Sequence, residues 1–377
     1  MSHDLSVDLI GITPMVFRAP IEIPVQTSFG IMRDRPMLLI RVEDRSGSHG
    51  WGEVWCNFPA VGAEHRARLI TSVFAPLMTE RSYETPQLAF GSLEKALATL
   101  SIQSGEAGPL AQCLAGIDIA IWDMVARRNG VSIAAVLGGE TPDAVPCYAS
   151  GINPNDARQT VARARDEGFS AFKLKVGFGE ATDIGNLDAI CADMSTSEIL
   201  MTDANQGWSL TEALAMLEVL ARYDLTWLEE PIAADSSLDD WGRLRSASEI
   251  PLAAGENIRG LREFEAVLSA GHLRVVQPDI AKWGGFSCGL PVVQRILATG
   301  HRYCPHWLGG GIGLIASAHL LASSGSDGAL EVDINVNPLR PALLPGPDFE
   351  RGMMRLPKGV GLGVEPDIGA LAPFGVV

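Results

Sequence analysis

Seven ionisable residues recur at nearly even steps through the second half of the chain. Lys175, Asp203, Glu229, Glu256, Asp279, His306 and Glu331 stand 28, 26, 27, 23, 27 and 25 residues apart. Each ends a short apolar run, and a charge buried without a partner is costly, so each needs a reason. Asp203, Glu229 and Glu256 are three carboxylates that would repel one another if they met without a cation. Oxygen-only ligation suits a hard ion, Mg²⁺ ahead of Mn²⁺, and disfavours Zn²⁺. In the run TWLEEP only one of Glu229 and Glu230 can face inward from a strand. Glu229 is favoured, which leaves Glu230 to tie down a neighbouring loop.

Lys173 and Lys175 are two apart, so both point to the same face of a strand. Each ammonium disfavours protonation of the other, which predicts a lysine lowered towards a useful base. Asp279 and His306 are read as a dyad in which the carboxylate fixes the imidazole tautomer and leaves the other ring nitrogen to move a proton. A cation holding a substrate carboxylate acidifies the adjacent C–H. The charge released by proton removal falls on oxygens that the metal, Lys173 and Glu331 can stabilise. The chemistry implied is proton abstraction α to a carboxylate, with Lys175 and His306 on opposite faces of one carbon. The competing reading is a ring of salt bridges without chemistry.

The spacing also names the elements that must carry these residues. Steps of this size are about one strand plus one helix, and strand-like runs lie at 147–150, 171–176, 198–203, 226–229, 251–255, 274–278, 302–305 and 329–333. Ser209 and Glu212 form a capping box, and helices are expected to end at Gly168, Gly271 and Gly300. Eight such alternations predict an α/β fold, a (β/α)8-type TIM barrel with the polar residues on its C-terminal rim, where barrel enzymes keep their chemistry. An open doubly wound sheet is the runner-up, but no GxGxxG or GxxxxGK[ST] follows any strand. The first 135 residues read differently. Strands at 37–44 and 49–55 precede a helix marked by Leu114, Ile117, Ile121 and Val125, which together make a small α+β unit. The expected division is 1–138, 139–340 and 341–377.

Composition narrows the classes further. With 47% hydrophobic and 20% charged residues in 377, the chain can bury a large core and is not disordered. A net charge of −16 repels phosphate backbones and anionic lipid, so neither nucleic acid nor membrane is expected as a partner. No run of about 18 apolar residues is evident, and the opening MSHDLSVDLI lacks a basic leader. Six scattered cysteines without a CxxC pair fit a reduced, cytoplasmic protein.

The stretches FKLKVG, MTDANQ, WLEEP, AAGEN, QPDIAKWGG, PHWLGGG and LEVD together resemble the enolase superfamily, specifically its mandelate racemase subgroup. Sites of that superfamily combine a Lys or His base with Mg²⁺ that stabilises an enediolate. The resemblance implies Asp203, Glu229 and Glu256 as Mg²⁺ ligands, Lys175 as base, and His306 with Asp279 as the opposite acid/base. It implies Glu331 as an electrophilic hydrogen-bond donor. The N-terminal unit would cap the barrel, the C-terminal segment would pack back on that cap, and the chain would form a dimer to octamer. Two cap loops, 25–35 and 55–60, would choose a small carboxylate substrate through Thr27, Ser28, Phe29, Arg33, Trp55 and Asn57, helped by Asn205 and Trp307. Lys282 is assigned a supporting place, because its offset takes it off the strand. Dehydration of an acid sugar or related hydroxy acid to a 2-keto acid is the leading expectation. Racemisation or epimerisation of a hydroxy acid or proline-type derivative is the alternative, and a non-catalytic binder of metal or small acids the remote one.

Overall fold

The computed structural model describes residues 3–27, 30–139, 142–344, 346 and 349–376. Three strands, β1 (Leu9–Thr27), β2 (Gly30–Asp44) and β3 (His49–Val54), form an antiparallel sheet in that order. Thr27 pairs with Gly30, so the expected loop at 25–35 is mostly the tip of a long hairpin. The 22-residue helix Ala107–Arg128 lies across β3, and the sequence lets the two backbones almost touch. A Cβ on Gly52 would sit 2.1 Å from the Gly116 carbonyl, and one on Gly50 would sit 2.2 Å from that of Ala120. By length and composition alone this helix could span a bilayer, but Gln112, Asp118 and Asp123 interrupt its apolar run and most of it is buried in the protein core.

Eight parallel strands follow: β4 (Ala144–Ile152), β5 (Ala171–Lys175), β6 (Ile199–Asp203), β7 (Leu225–Glu229), β8 (Leu252–Ala254), β9 (Val275–Val276), β10 (Arg302–Tyr303) and β11 (Leu330–Asp333). Each pairs with the next as far as β10, and β11 returns to pair with β4 from Leu330↔Cys147 to Asp333↔Ser150. The seam between β10 and β11 is joined where Glu331 N–H donates to the Pro305 carbonyl at 3.3 Å. The ring is therefore closed, with a helix after each of its first seven strands. All eight expected strands are present within a few residues of their predicted bounds. The capping box forms as read, Ser209 and Glu212 each bonding the other's backbone N–H.

A separate apolar cluster of Tyr148, Met201, Trp227, Ala253, Val275 and Cys304 comes from six of the barrel segments. It underlies the charged rim, since the Lys173 ammonium lies 5.5 Å over the Tyr148 ring. A short hairpin, β12 (Phe349–Glu350) and β13 (Met353–Arg355), adds antiparallel to the start of β4. The last residues reach the first sheet, where Val376 N–H donates to the Val16 carbonyl at 2.9 Å and Glu365 accepts from Trp51 Nε1 at 2.8 Å. All six cysteines are free thiols, four buried and Cys191 and Cys288 half-buried.

Candidate active site

Strand register brings the predicted residues together. Lys175 pairs with Asp203, and Asp203 with Glu229, so base and two carboxylates stand side by side across β5, β6 and β7. Glu256 lies beyond the end of β8, and the chain turns there through Gly255 at φ +154°. A Cβ at Gly255 would meet the Gln277 backbone nitrogen at 2.5 Å, so the approach demands glycine. Asn205, Gln206 and Glu230 follow their strands with φ of 42°, 63° and 39°. Positive φ at three non-glycine residues stores strain at the rim, as functional loops often do.

Every rim carboxylate is held by a cation of the chain. Lys173 Nζ lies 2.7 Å from Glu229, 2.8 Å from Glu331 and 3.8 Å from Asp203. Lys175 Nζ lies 2.5 Å from Asp203. His306 Nδ1 is 2.7 Å from Asp279, which makes the dyad. Its Nε2, expected to be free for a substrate, instead lies 2.8 Å from Glu256. Lys282 Nζ reaches Glu256 at 3.1 Å and Asn257 at 2.9 Å, and stands 4.6 Å over the Trp55 ring. It therefore belongs to the site more directly than its offset suggested. Glu230 accepts from Asn257 Nδ2 at 2.9 and 3.1 Å and so ties down the loop that follows β8.

The electrostatics correct one expectation. Burial opposes the charge on Lys175, and Lys173 adds to that, but Asp203, Glu229 and Glu331 outweigh both and raise its pKa. Lys173 is raised well above its ordinary value by the same balance. Neither lysine is lowered towards a base in this state, because each has closer carboxylates than ammonium neighbours. Burial likewise opposes charge on His306, yet Glu256, Glu331 and Asp279 raise its pKa well above the ordinary imidazole value. Glu331 is buried, but Lys173 and His306 pull its pKa down, and it accepts from Ser150 Oγ. As it stands it accepts hydrogen bonds; the donor role would need a proton.

Among the described residues no three His, Cys, Asp or Glu groups converge on one point as they stand. The donor set nevertheless fits a hard divalent ion. Asp203, Glu229 and Glu256 are oxygen-only and drawn from consecutive strands. The first two are buried, and burial with Asp203 nearby raises the Glu229 carboxyl. The buried Oε1 of Gln277, whose Nε2 donates to Glu229 at 2.7 Å, has no partner. An ion held by these three would compete for their oxygens with Lys173, Lys175, Lys282 and His306.

Above these groups lies a cleft of about 510 Å³ lined by Thr27, Trp55, Phe58, Lys175, Asn205, Gln206, Glu256, Asn257, Lys282, His306 and Leu308. Of the expected substrate contacts, Thr27, Trp55 and Asn205 are there. Ser28 and Phe29 lie outside the described residues. Arg33 is exposed and away from the cleft, and the Trp307 ring is wholly buried, donating from Nε1 to the Gly310 carbonyl at 2.9 Å. Asn57 is buried and donates to the Leu308 carbonyl at 2.6 Å, so it shapes the wall from behind. Gln206, Asn257 and Gln277 were missed. For Gln277 a signal existed, since it sits two residues before Asp279 and so shares its face.

Residues 11–138 match the N-terminal domain of the mandelate racemase / muconate lactonizing enzyme family, and residues 156–370 match the enolase C-terminal domain-like family. Over 360 residues the chain is 33% identical to a D-galactarolactone cycloisomerase from Agrobacterium fabrum, covering 90% of this chain and 91% of that one. It is 34% identical over 209 residues to an L-talarate/galactarate dehydratase from Salmonella typhimurium, covering 54% of this chain and 52% of that one. A crystal structure of a mandelate racemase/muconate lactonizing enzyme from Bordetella bronchiseptica RB50 superposes with a TM-score of 0.90. The two are 49% identical, covering 98% of this chain and 99% of that one.

Proposed function

The chain belongs to the mandelate racemase / muconate lactonizing enzyme family of the enolase superfamily, and from that premise we propose that it dehydrates an acid sugar to a 2-keto acid. An enolase-superfamily lyase or isomerase removes the proton α to a carboxylate, and enzymes of the superfamily use Mg²⁺. The observation that carries the proposal is that Lys175 and His306, from the second and seventh barrel strands, line one cleft with Glu256 beside them. The two relatives named above act on galactarate or its lactone by their names, which favours a polyhydroxy acid.

Asp203, Glu229 and Glu256 would hold Mg²⁺, which would supply Lewis-acid polarisation of the substrate carboxylate and would share with Lys175 the Asp203 carboxylate that raises its pKa. Lys175 Nζ then takes the α-proton from one face. The charge that develops on the carboxylate oxygens is met by the Lys173 ammonium, pinned between Glu229 and Glu331. His306, oriented by Asp279, gives its Nε2 proton to the departing β-hydroxyl from the other face. Asn205, Gln206, Asn257 and Thr27 supply donors and acceptors for the substrate hydroxyls. Had His306 protonated the α-carbon instead, the same machinery would racemise or epimerise.

Proton NMR in D₂O with Mg²⁺ and a panel of aldonic and aldaric acids decides between these. Loss of an α-proton with growth of a 2-keto-3-deoxy acid is the expected result. Exchange of the α-proton with growth of the C2 epimer and no 2-keto acid would overturn dehydration in favour of the isomerase.

A further inference from the structure

The loop that carries His306 is gripped from the first sheet. Glu53, the penultimate residue of β3, is 2% exposed, and its two carboxylate oxygens accept from Gly310 N–H at 2.5 Å and Gly313 N–H at 3.0 Å. Four residues on, Asn57 Nδ2 holds the Leu308 carbonyl. These contacts bracket residues 307–313, which begin beside His306 and open the helix Gly311–Ser324. Within the bracket the Trp307 ring fills the space over Gly309 and Gly313, where a Cβ would meet it at 2.3 and 2.1 Å. The Trp307 N–H in turn points at Glu331 Oε2 at 3.4 Å. A rigid chain of contacts thus runs from Glu53 through the helix start and Trp307 to both His306 and Glu331. Lys175 stands apart from it, fixed by its register with β6.

We propose that Glu53 is a positioning residue that sets His306 from the capping sheet, so that chemistry on the His306 face depends on Glu53 and chemistry on the Lys175 face does not. The inference rests on the α-proton reading above for its catalytic half only. Two variants disturb the contact from opposite sides. In Glu53→Gln an NH₂ must face one of two N–H donors, because both oxygens now accept. In Gly310→Ala the new Cβ would lie 2.6 Å from Glu53 Oε1 and 2.9 Å from Met37 Sδ.

Both variants, loaded with Mg²⁺, are compared with the parent by NMR of ring-¹⁵N histidine, with His306→Asn to assign the signal. The His306 resonance shifts in both while that of His272, remote beside Gly242, stays put. A variant that melts cooperatively and keeps the parental His306 signal overturns the proposal, and Gly310→Ala serves if Glu53→Gln does not fold. With galactarate and galactonate as probes, turnover through the His306 face falls about 100-fold with little change in KM, as for a misplaced catalytic group. α-Proton exchange at the Lys175 face persists. Equal loss on both faces overturns the proposal. A parent silent towards every acid, with His306 still shifted in the variants, removes the dehydratase reading and leaves the positioning role standing.

Discussion

Two groups of carboxylates in this protein, one at the barrel rim and one where the capping unit meets the barrel, are satisfied in opposite ways. At the barrel rim Asp203, Glu229, Glu256 and Glu331 are matched by the side-chain cations of Lys173, Lys175, Lys282 and His306. At the seam between the first sheet and the barrel, Glu53 and Asp118 are matched mainly by the backbone of barrel helices. Asp118 accepts from Ser287 N–H at 2.9 Å and Ser287 Oγ at 2.6 Å at the start of helix Gly285–Ala298, as Glu53 does at the start of the next helix. A flexible ammonium can be exchanged for another cation or for a substrate group; a helix N-terminus cannot leave. The rim is arranged for exchange, the seam for permanence, although both bury the same functional group.

Removing divalent ions should separate the two regions most sharply. Chelation is expected to abolish turnover and Mg²⁺ to restore it, while the melting of the seam changes only by the linkage energy, about 2.7 kcal/mol at a hundredfold excess over Kd. Full turnover in excess chelator would show that the rim exchanges no cation. Next in size, Lys175→Ala should lower kcat by about 10³-fold with a parental circular-dichroism melt. Asp279→Asn and His306→Asn should resemble each other in loss of His306-face chemistry, and a fully active Asp279→Asn would break the dyad. At the seam the order reverses. Asp118→Ala should leave kcat of the folded protein intact and destabilise it by about 2–3 kcal/mol in urea titration, since Ser287 N–H and Oγ lose their acceptor.

The smallest effect is on the pH dependence of stability. Burial pushes the carboxyls of Glu53 and Asp118 up to about 7 despite their backbone donors. For an acid whose folded pKa lies above its unfolded one, the stabilising contribution is complete below the unfolded value, near 4. It is lost as pH rises through about 7. The urea midpoint should therefore decline between about pH 4 and 7, and Asp118→Asn should flatten that decline. An unchanged slope in the variant would assign it elsewhere.

Much of the rim was legible because strand alternation and a repeat of about 26 residues are one-dimensional signals. Lys175, Asp203, Glu229, Glu256, Asp279, His306 and Glu331 all fall where the period put them. The pairing of each charge was not legible, since Lys282 reaches Glu256 and His306 turns its second nitrogen to the same carboxylate only in three dimensions. The 19-residue β1 was missed; it carries Pro14, Pro20 and Pro24, a residue type that strands ordinarily exclude. It is an edge strand, where proline is tolerated, and its register slips between Pro20 and Val25. Glu53 gave no sign at all: its partners lie 257 and 260 residues away.

The place of β4 has a consequence for how the chain is made. β4 pairs with β5 within some twenty residues, but its other edge waits for β11 at 330–333 and β13 at 353–355. At a ribosomal rate of roughly 10 residues per second, that edge stays open for about 20 s after β4 emerges. The compact sheet of β1, β2 and β3 can form at once from neighbouring sequence, whereas the barrel must remain an unfinished arc with a bare strand edge until its last segments arrive. A translational pause before residue 330, or a chain cut short there, would leave that edge available to other nascent copies.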